Sequence, residues 1–249
     1  LLFRPLYYFI LKGRIVNIEG YHHLKGYKWI INHNYGMAYF KGYYEPLICQ
    51  ILTKHLSVDS VFVDVGGHAG YFSLFAAAIS KNGHVFSFEP EPNNYNFMDS
   101  ILKLNDVANW SIINKAAGQE RGQMFFEVGS TSSTGRMSEN GKLPVDVTTL
   151  NAELSNLERL DIIKIDVEGF GGRVVQGGVE VILKFLPILM IEIHQNSDEL
   201  ETILKYLGEI YLFKDIENGE LINSVSQSPH FIIGFPRKHF SIETDNTIS

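Results

Sequence analysis

The chain has 249 residues and a net charge of −7, with 45% hydrophobic and 20% charged residues. That is enough for one sizeable α/β domain, or one domain plus a small appendage, with the composition of an ordinary water-soluble globular protein. The acidic balance leaves no basic footprint for a nucleic-acid backbone, and no apolar run approaches the roughly 20 residues of a membrane-spanning helix.

Residues 1–10 are aromatic and apolar, but Arg4 and Pro5 interrupt them and no small-residue cleavage site follows, so they read as a packing segment. The first residue is not Met, as expected of a piece of a longer, multidomain polypeptide. Residues 1–57 read as an N-terminal helical and aromatic cap, in which Pro46 opens a helix through His55 with Leu47, Ile48, Ile51 and Leu52 at helical spacing. Residues 58–240 form the main domain and 241–249 a polar, frayed tail.

Within the main domain, strands are predicted at 61–65, 84–88, 110–114, 161–165, 188–193, 210–213 and 231–234, with helices at 71–80, 93–105, 173–185 and 197–207. Ser197 is the expected N-cap of the last helix. This alternation predicts right-handed crossovers and a mostly parallel, doubly wound seven-stranded sheet. The last two strands lack a helical spacer and are expected as an antiparallel edge hairpin. Segments 123–128 and 145–149 alternate like strands; the Ser-, Thr- and Gly-rich stretch 129–141 between them reads as a long loop over a substrate.

Ligands of such sheets bind beyond the carboxyl ends of the strands. The first strand carries Asp64 and breaks into Gly66, Gly67 and Gly70 before a helix starting at Tyr71, a turn that brings backbone N–H groups close to a nucleotide-like ligand. Val65 and Ala69 spoil the dinucleotide fingerprint, which disfavours a nicotinamide dehydrogenase. The second strand ends at Glu89, whose two oxygens match the spacing of vicinal ribose hydroxyls; otherwise Glu89 is a solvated acid capping the helix after Pro90. The later strands end at Asn114, at Asp166 and Glu168, and at Glu192 and His194.

Asp64 is a buried acid that either braces the glycine turn or receives an amino group. Asp166 and Glu168 are close enough to push their ionisations apart, unless they only supply acid to a helix N-terminus. His194 is either a hydrogen-bonded structural residue or a general base for a hydroxyl. His22, His23, His33, His55 and His84 show no metal-ligand spacing, while His68 sits inside the turn. The sequence leaves a metal requirement and the oligomeric state open. The single cysteine, Cys49, cannot close an intramolecular disulfide, which fits a reducing, cytoplasmic compartment.

The pieces together resemble the FkbM family of S-adenosylmethionine-dependent O-methyltransferases, a branch of the Rossmann-like class I methyltransferases. The resemblance rests on Val63-Asp-Val-Gly-Gly-His-Ala-Gly-Tyr-Phe-Ser73, Phe88-Glu-Pro-Glu-Pro92, Asn114-Lys-Ala-Ala-Gly118, Val147-Thr-Thr-Leu150, Ile163-Lys-Ile-Asp-Val-Glu-Gly-Phe170 and Leu189-Met-Ile-Glu-Ile193, and reaches upstream to Tyr39-Phe-Lys-Gly-Tyr-Tyr-Glu-Pro46. It implies S-adenosylmethionine as cofactor, with Glu45, Asp64, Gly66, Gly67, His68, Gly70, Tyr71, Glu89, Pro90, Asn114, Ala116 and Asp166 around it. Asp166, Glu168 and His194 then become the catalytic candidates. It also implies methyl transfer to a hydroxyl of a sugar or glycan; the rivals are a small natural product as acceptor, or a binding module that kept the fold and lost turnover. The tyrosines and Trp29 of the cap suit either stacking on a sugar ring or packing onto the sheet. Two departures stand out. Gly67-His68 replaces the family's usual Ala-Asn, so a contact of the Asn amide is lost or replaced, and Gly171-Gly172 are expected to loosen the following helix.

Overall fold

The computed structural model describes residues 12–32, 34–35, 37–129, 135–194, 198–227 and 229–237. The packing segment 1–10, the Ser197 cap, His33, the middle of the 129–141 stretch and the tail from 241 lie outside the described residues.

Two short strands, β1 (Ile15–Asn17) and β2 (Lys28–Ile30), pair antiparallel, and α1 (Met37–Lys41) and α2 (Pro46–His55) follow. Then come β3 (Val61–Val65), α3 (Tyr71–Ile79), β4 (His84–Phe88), α4 (Pro92–Leu104) and β5 (Trp110–Ile113). Next are β6 (Ala116–Ala117), β7 (Gly122–Glu127), β8 (Arg136–Met137), β9 (Leu143–Thr148) and α5 (Leu150–Leu154). The chain continues through β10 (Ile162–Ile165), α6 (Gly171–Phe185), β11 (Ile188–Glu192), α7 (Glu199–Leu207), β12 (Tyr211–Asp215), β13 (Leu221–Ile222) and β14 (Phe231–Pro236).

The main sheet has eight strands in the order β13-β12-β14-β11-β10-β3-β4-β5, and β11-β10-β3-β4-β5 run parallel. The expected seven strands are all present; the eighth, β13, is two residues long, too short to show a period. The antiparallel pair of the last strands forms at one end of the sheet, with the short β13 added antiparallel outside β12. β14 lies between β12 and β11, antiparallel to both. Its continuous apolar run Phe231-Ile-Ile233 is what an interior strand covered on both faces requires. Segments 123–128 and 145–149 belong to a separate four-stranded sheet, β6-β9-β7-β8, and the expected loop 129–141 contributes the strand Arg136–Met137 to it.

One face of the main sheet, with Phe62, Val85, Ile162 and Met190, packs under α3, α4 and the N-terminal elements in a single apolar cluster. The opposite face, with Val63, Val65, Ile163 and Ile191, packs under α5, α6 and α7. The chain leaves β3 for β4 and β5 on one side, then crosses to β10 on the other. This switch point between β3 and β10 is where an open α/β sheet leaves a crevice. Among the described residues no helix is long and apolar enough to cross a membrane.

Candidate active site

A cavity of about 300 Å³ opens at the carboxyl ends of β3, β4 and β10, at the lower end of the ~300–1,000 Å³ common for ligand pockets. Of the residues anticipated for a ligand site, Glu45, Gly66, Gly67, His68, Tyr71, Glu89, Pro90, Ala116, Asp166 and Glu168 stand in its wall. Asp64, Gly70, Asn114 and His194 do not.

At one end lies the glycine turn. Gly66 has φ 82°, and a Cβ there would run into the Asp166 carbonyl, so β3 can reach this close to β10 only through a residue without a side chain. A Cβ on Gly67 would come within 2.7 Å of the Met98 methyl, the movable end of a flexible side chain, so an alanine there needs only a shift of that methionine. His68, at φ 50°, points its backbone N–H at Glu89 Oε2 (2.8 Å) and sets its ring Nδ1 3.2 Å from the Tyr39 hydroxyl. The imidazole thus makes its contact to the N-terminal segment. Glu45, His68 and Glu168 all take left-handed backbone conformations and all line the cavity, a local cost that the surrounding packing sustains.

Glu89 is only 4% exposed. Besides the His68 N–H, its carboxylate accepts from the Glu91 N–H (2.9 Å) and the Asn94 amide (3.3 Å). Burial pushes its ionisation up to about 7, against the pull of those donors. It is therefore a buried wall residue rather than a solvated helix cap; Glu91 is the N-cap of α4, accepting from the Asn94 N–H at 2.8 Å. Asn114 donates to the Glu89 carbonyl at 2.8 Å and so ties β5 to the end of β4 from behind the wall.

The other end is built on charge. Lys164, on β10, is 1% exposed, a position lysine almost never takes without partners. Its ammonium lies 3.0 Å from Asp166 Oδ2 and 3.8 Å from Asp64 Oδ1, with the Phe72 ring 5.1 Å away. Burial, the largest influence, would raise Asp166, but the Lys164 ammonium together with hydrogen bonds from Glu192 and Lys164 and the charge of His194 outweighs it and holds the carboxyl below its ordinary range. Asp64 sits farther from the same cation, and there burial wins and raises it. A polar row continues behind the wall: Asp64 Oδ2 accepts from Ser73 (2.6 Å), whose hydroxyl meets Ser87 (2.6 Å), which accepts from the Trp110 indole (2.7 Å). The glycine-turn N–H groups go to the Phe88 carbonyl, Gly67 and Glu89 instead, so Asp64 does not brace the turn through them; it is held by Ser73 and Lys164 and does not line the cavity.

The acid coupled to Asp166 is Glu192 at the end of β11, not the neighbouring Glu168. Burial first, and Asp166 second, push Glu192 up to about 8, so a proton sits between the two carboxyls at neutral pH. Glu168, in its left-handed conformation, faces His194 instead, with Oε2 3.3 Å from Nε2. His194 is further flanked by Glu192 (3.7 Å) and Glu199 (3.5 Å). Hydrogen bonds to Glu168 and Glu199 and the charge of Glu192 raise it to about 10, so it stands as imidazolium at neutral pH and cannot accept a proton there. Glu199 is 1% exposed and also accepts the Gly171 N–H at 2.7 Å, which starts α6 at that glycine rather than loosening it. Asp166, Glu192 and His194 offer ligand atoms within 4.8 Å of one another, a spacing that a divalent cation can bridge.

The cap aromatics are mostly core. Trp29 and Tyr39 are 1% and 5% exposed, and Tyr39 lies between Trp29 (centroids 5.5 Å) and Tyr44 (4.3 Å), so neither of its faces is open to a sugar. The far rim of the cavity comes from the small sheet, through Phe126 and Arg136. Sequence reasoning missed Lys164, whose signal is one cation inside the apolar run Ile162–Ile165, and also Asn94 and Arg136, which carry no signal of their own.

The sequence profile of the methyltransferase FkbM domain matches residues 64–220. "Methyltransferase 1" of Beauveria bassiana (strain ARSEF 2860) is 26% identical over 145 residues, 48% of this chain and 58% of that protein. Among solved structures, an FkbM methyltransferase from Methylobacillus flagellatus KT aligns with a TM-score of 0.52 at 17% identity, over 72% of this chain and 44% of that one. A putative rRNA methylase from Clostridium thermocellum aligns at 0.50 and 10% identity, over 77% and 93%. The chain thus spans little more than half of the Beauveria protein and under half of the Methylobacillus chain, and the structural likenesses show a shared Rossmann-like methyltransferase fold. With the profile covering more than half of its length, the chain belongs to the FkbM methyltransferase family.

Proposed function

We propose that this chain transfers a methyl group from S-adenosylmethionine, the methyl donor of its family, to a hydroxyl oxygen of a neutral acceptor, a sugar or glycan. The observation that carries this reading is Asp166, a carboxylate in the cavity wall kept ionised by a buried lysine, one strand beyond the glycine turn from Glu89. The donor supplies an electrophilic methyl on a sulfonium sulfur. A buried carboxylate with a lone pair still open on Oε2, beside a glycine turn that admits close approach, fits its ribose, so Glu89 and residues 66–68 would hold it.

Asp166 would accept the hydrogen bond of the acceptor hydroxyl. As the carbon–oxygen bond forms and the carbon–sulfur bond breaks, the hydroxyl proton becomes strongly acidic, so a weak base suffices to take it. Asp166 takes that proton. Glu45, Asp166 and Glu168 make this end of the cavity acidic, which repels phosphate-bearing acceptors and supports a neutral one. The buried thiol of Cys49 supports a cytoplasmic setting.

The test is incubation with methyl-labelled S-adenosylmethionine and a panel of glycans and small hydroxylated products, scored by mass gain and by the methylated position. Label on a nitrogen, or on a nucleic acid alone, would overturn the reading. Loss of transfer with a chelator, restored by Mg²⁺, would move the activation of the hydroxyl to a cation held by Asp166, Glu192 and His194.

A further inference from the structure

A carboxylate can only accept hydrogen bonds, so Asn94 must turn its amide nitrogen toward Glu89 Oε1, at 3.3 Å. The carbonyl oxygen of that amide then faces away, and the Tyr35 hydroxyl donates to it at 2.8 Å. The Tyr35 ring is fixed by Phe97, with centroids 4.3 Å apart, and by the His68 ring, edge-on at 5.0 Å. Glu91 accepts the Asn94 backbone N–H at 2.8 Å and fixes the asparagine from below. Tyr35, Asn94 and Glu89 are all buried, so solvent offers no substitute partner. Burial and the nearby Glu91 and Glu89 raise the Tyr35 hydroxyl, which keeps its proton and remains a donor. An asparagine amide has two orientations of similar shape, and the Glu89 acceptor on one side and the Tyr35 donor on the other select the same one. The flipped form would set a carbonyl oxygen against the Glu89 carboxylate.

We propose that Tyr35 is a positioning residue for the donor site: by fixing the Asn94 amide it aims Glu89 at the vicinal hydroxyls of a ribose, so the N-terminal segment sets the preference for ribose over deoxyribose. This rests on the reading of Glu89 as the ribose acceptor. It gives the segment before the matched family domain a direct part in donor recognition, with Tyr39 on His68 as a second contact from the same stretch.

Calorimetric titration with S-adenosylhomocysteine and its 2′-deoxyadenosyl counterpart tests it, on the full chain as wild type, Tyr35→Phe, Asn94→Ala and Glu89→Gln. Tyr35→Phe keeps the ring and removes one buried hydrogen bond. It should weaken S-adenosylhomocysteine about tenfold and the deoxy compound far less, so that the preference between the two collapses. Asn94→Ala should do the same, and decides the matter if Tyr35→Phe does not fold. Equal weakening of both ligands, with the preference intact, would show a merely structural tyrosine and overturn the proposal. If Glu89→Gln abolishes the preference while both other variants keep it, only this proposal fails. If Glu89→Gln keeps it as well, the ribose reading of Glu89 fails with it.

Discussion

Glu89 and Asp166 both stand at the mouths of parallel strands and both line the same cavity, yet they are held in opposite ways. Around Glu89 the partners are neutral: two backbone N–H groups and the Asn94 amide. Around Asp166 the partner is a charge, the Lys164 ammonium at 3.0 Å. Neutral donors fix direction but only partly offset desolvation, so Glu89 is pushed up to about 7. A buried cation, helped by the Glu192 hydrogen bond and the His194 charge, overcomes desolvation, so Asp166 stays ionised. The first arrangement suits recognition of a neutral diol, and the second suits a base that must be ionised whenever the acceptor arrives.

The largest expected effect lies at the charged end. Lys164→Met should cost about 3–5 kcal/mol in urea unfolding near neutral pH, because it strands Asp166 and Asp64 without their cation. Asp166 is lowered in the folded state, so its contribution is present above its unfolded value and lost as pH falls through the folded one. The gap between wild type and Lys164→Met should therefore close in acid. A gap that is the same at about pH 7 and about pH 3 would locate the loss in packing rather than charge.

At the neutral end, Glu89→Gln should weaken S-adenosylmethionine by about 1.5–3 kcal/mol by calorimetry, the size of hydrogen bonds to a charged acceptor. Glu89→Ala should also lower the melting temperature, since the His68 and Glu91 N–H groups lose their acceptor. Unchanged affinity in a folded Glu89→Gln protein would remove Glu89 from the site.

The same residue sharpens the comparison through pH. With a folded value near 7 against an ordinary 4.5, Glu89 contributes stability that is full below the lower value and lost as pH rises through the upper one. Glu89→Gln should flatten that part of the melting curve against pH. If both proteins show the same slope, burial of Glu89 is not its source.

His194→Gln should have a smaller effect, on the order of 1 kcal/mol, present at and below neutral pH and fading as pH rises through about 10. Methyl transfer should persist in it. A collapse of rate that removes an ionisation in the ordinary histidine range would restore His194 as the base. Smallest of all, amide exchange at Arg136 and Met137 should slow when S-adenosylhomocysteine and acceptor are both present, since both residues line the cavity rim. Equal protection with and without ligand would leave that strand as fixed wall.

The parallel core was legible in the chain because each of its strands is a short apolar run separated by a helix-length segment: 61–65, 84–88 and 46–55 coincide with β3, β4 and α2 to the residue. Glu89 and Asp166 were legible for the same reason, as acids at the ends of such runs. Strands of two residues, β6, β8 and β13, carry no period and could not be read. The loop expected at 129–141 concealed β8 because its polar sequence matches a strand only once β7 lies beside it.

By itself, then, the sequence determined which residues sit at strand mouths, since a period of two and a glycine turn are local properties of the backbone. Only the tertiary structure decided what those residues face. Asp64 and His194 both lie at strand ends, yet Asp64 falls beneath the wall and His194 behind it among Glu168, Glu192 and Glu199. Their ionisation follows from partners on other strands and helices: Lys164 for Asp166, Asp166 for Glu192, and Tyr35 and Asn94 for the direction of Glu89. Charge and hydrogen-bond direction act across space over a few ångströms, between residues whose separation along the chain carries no record of that distance.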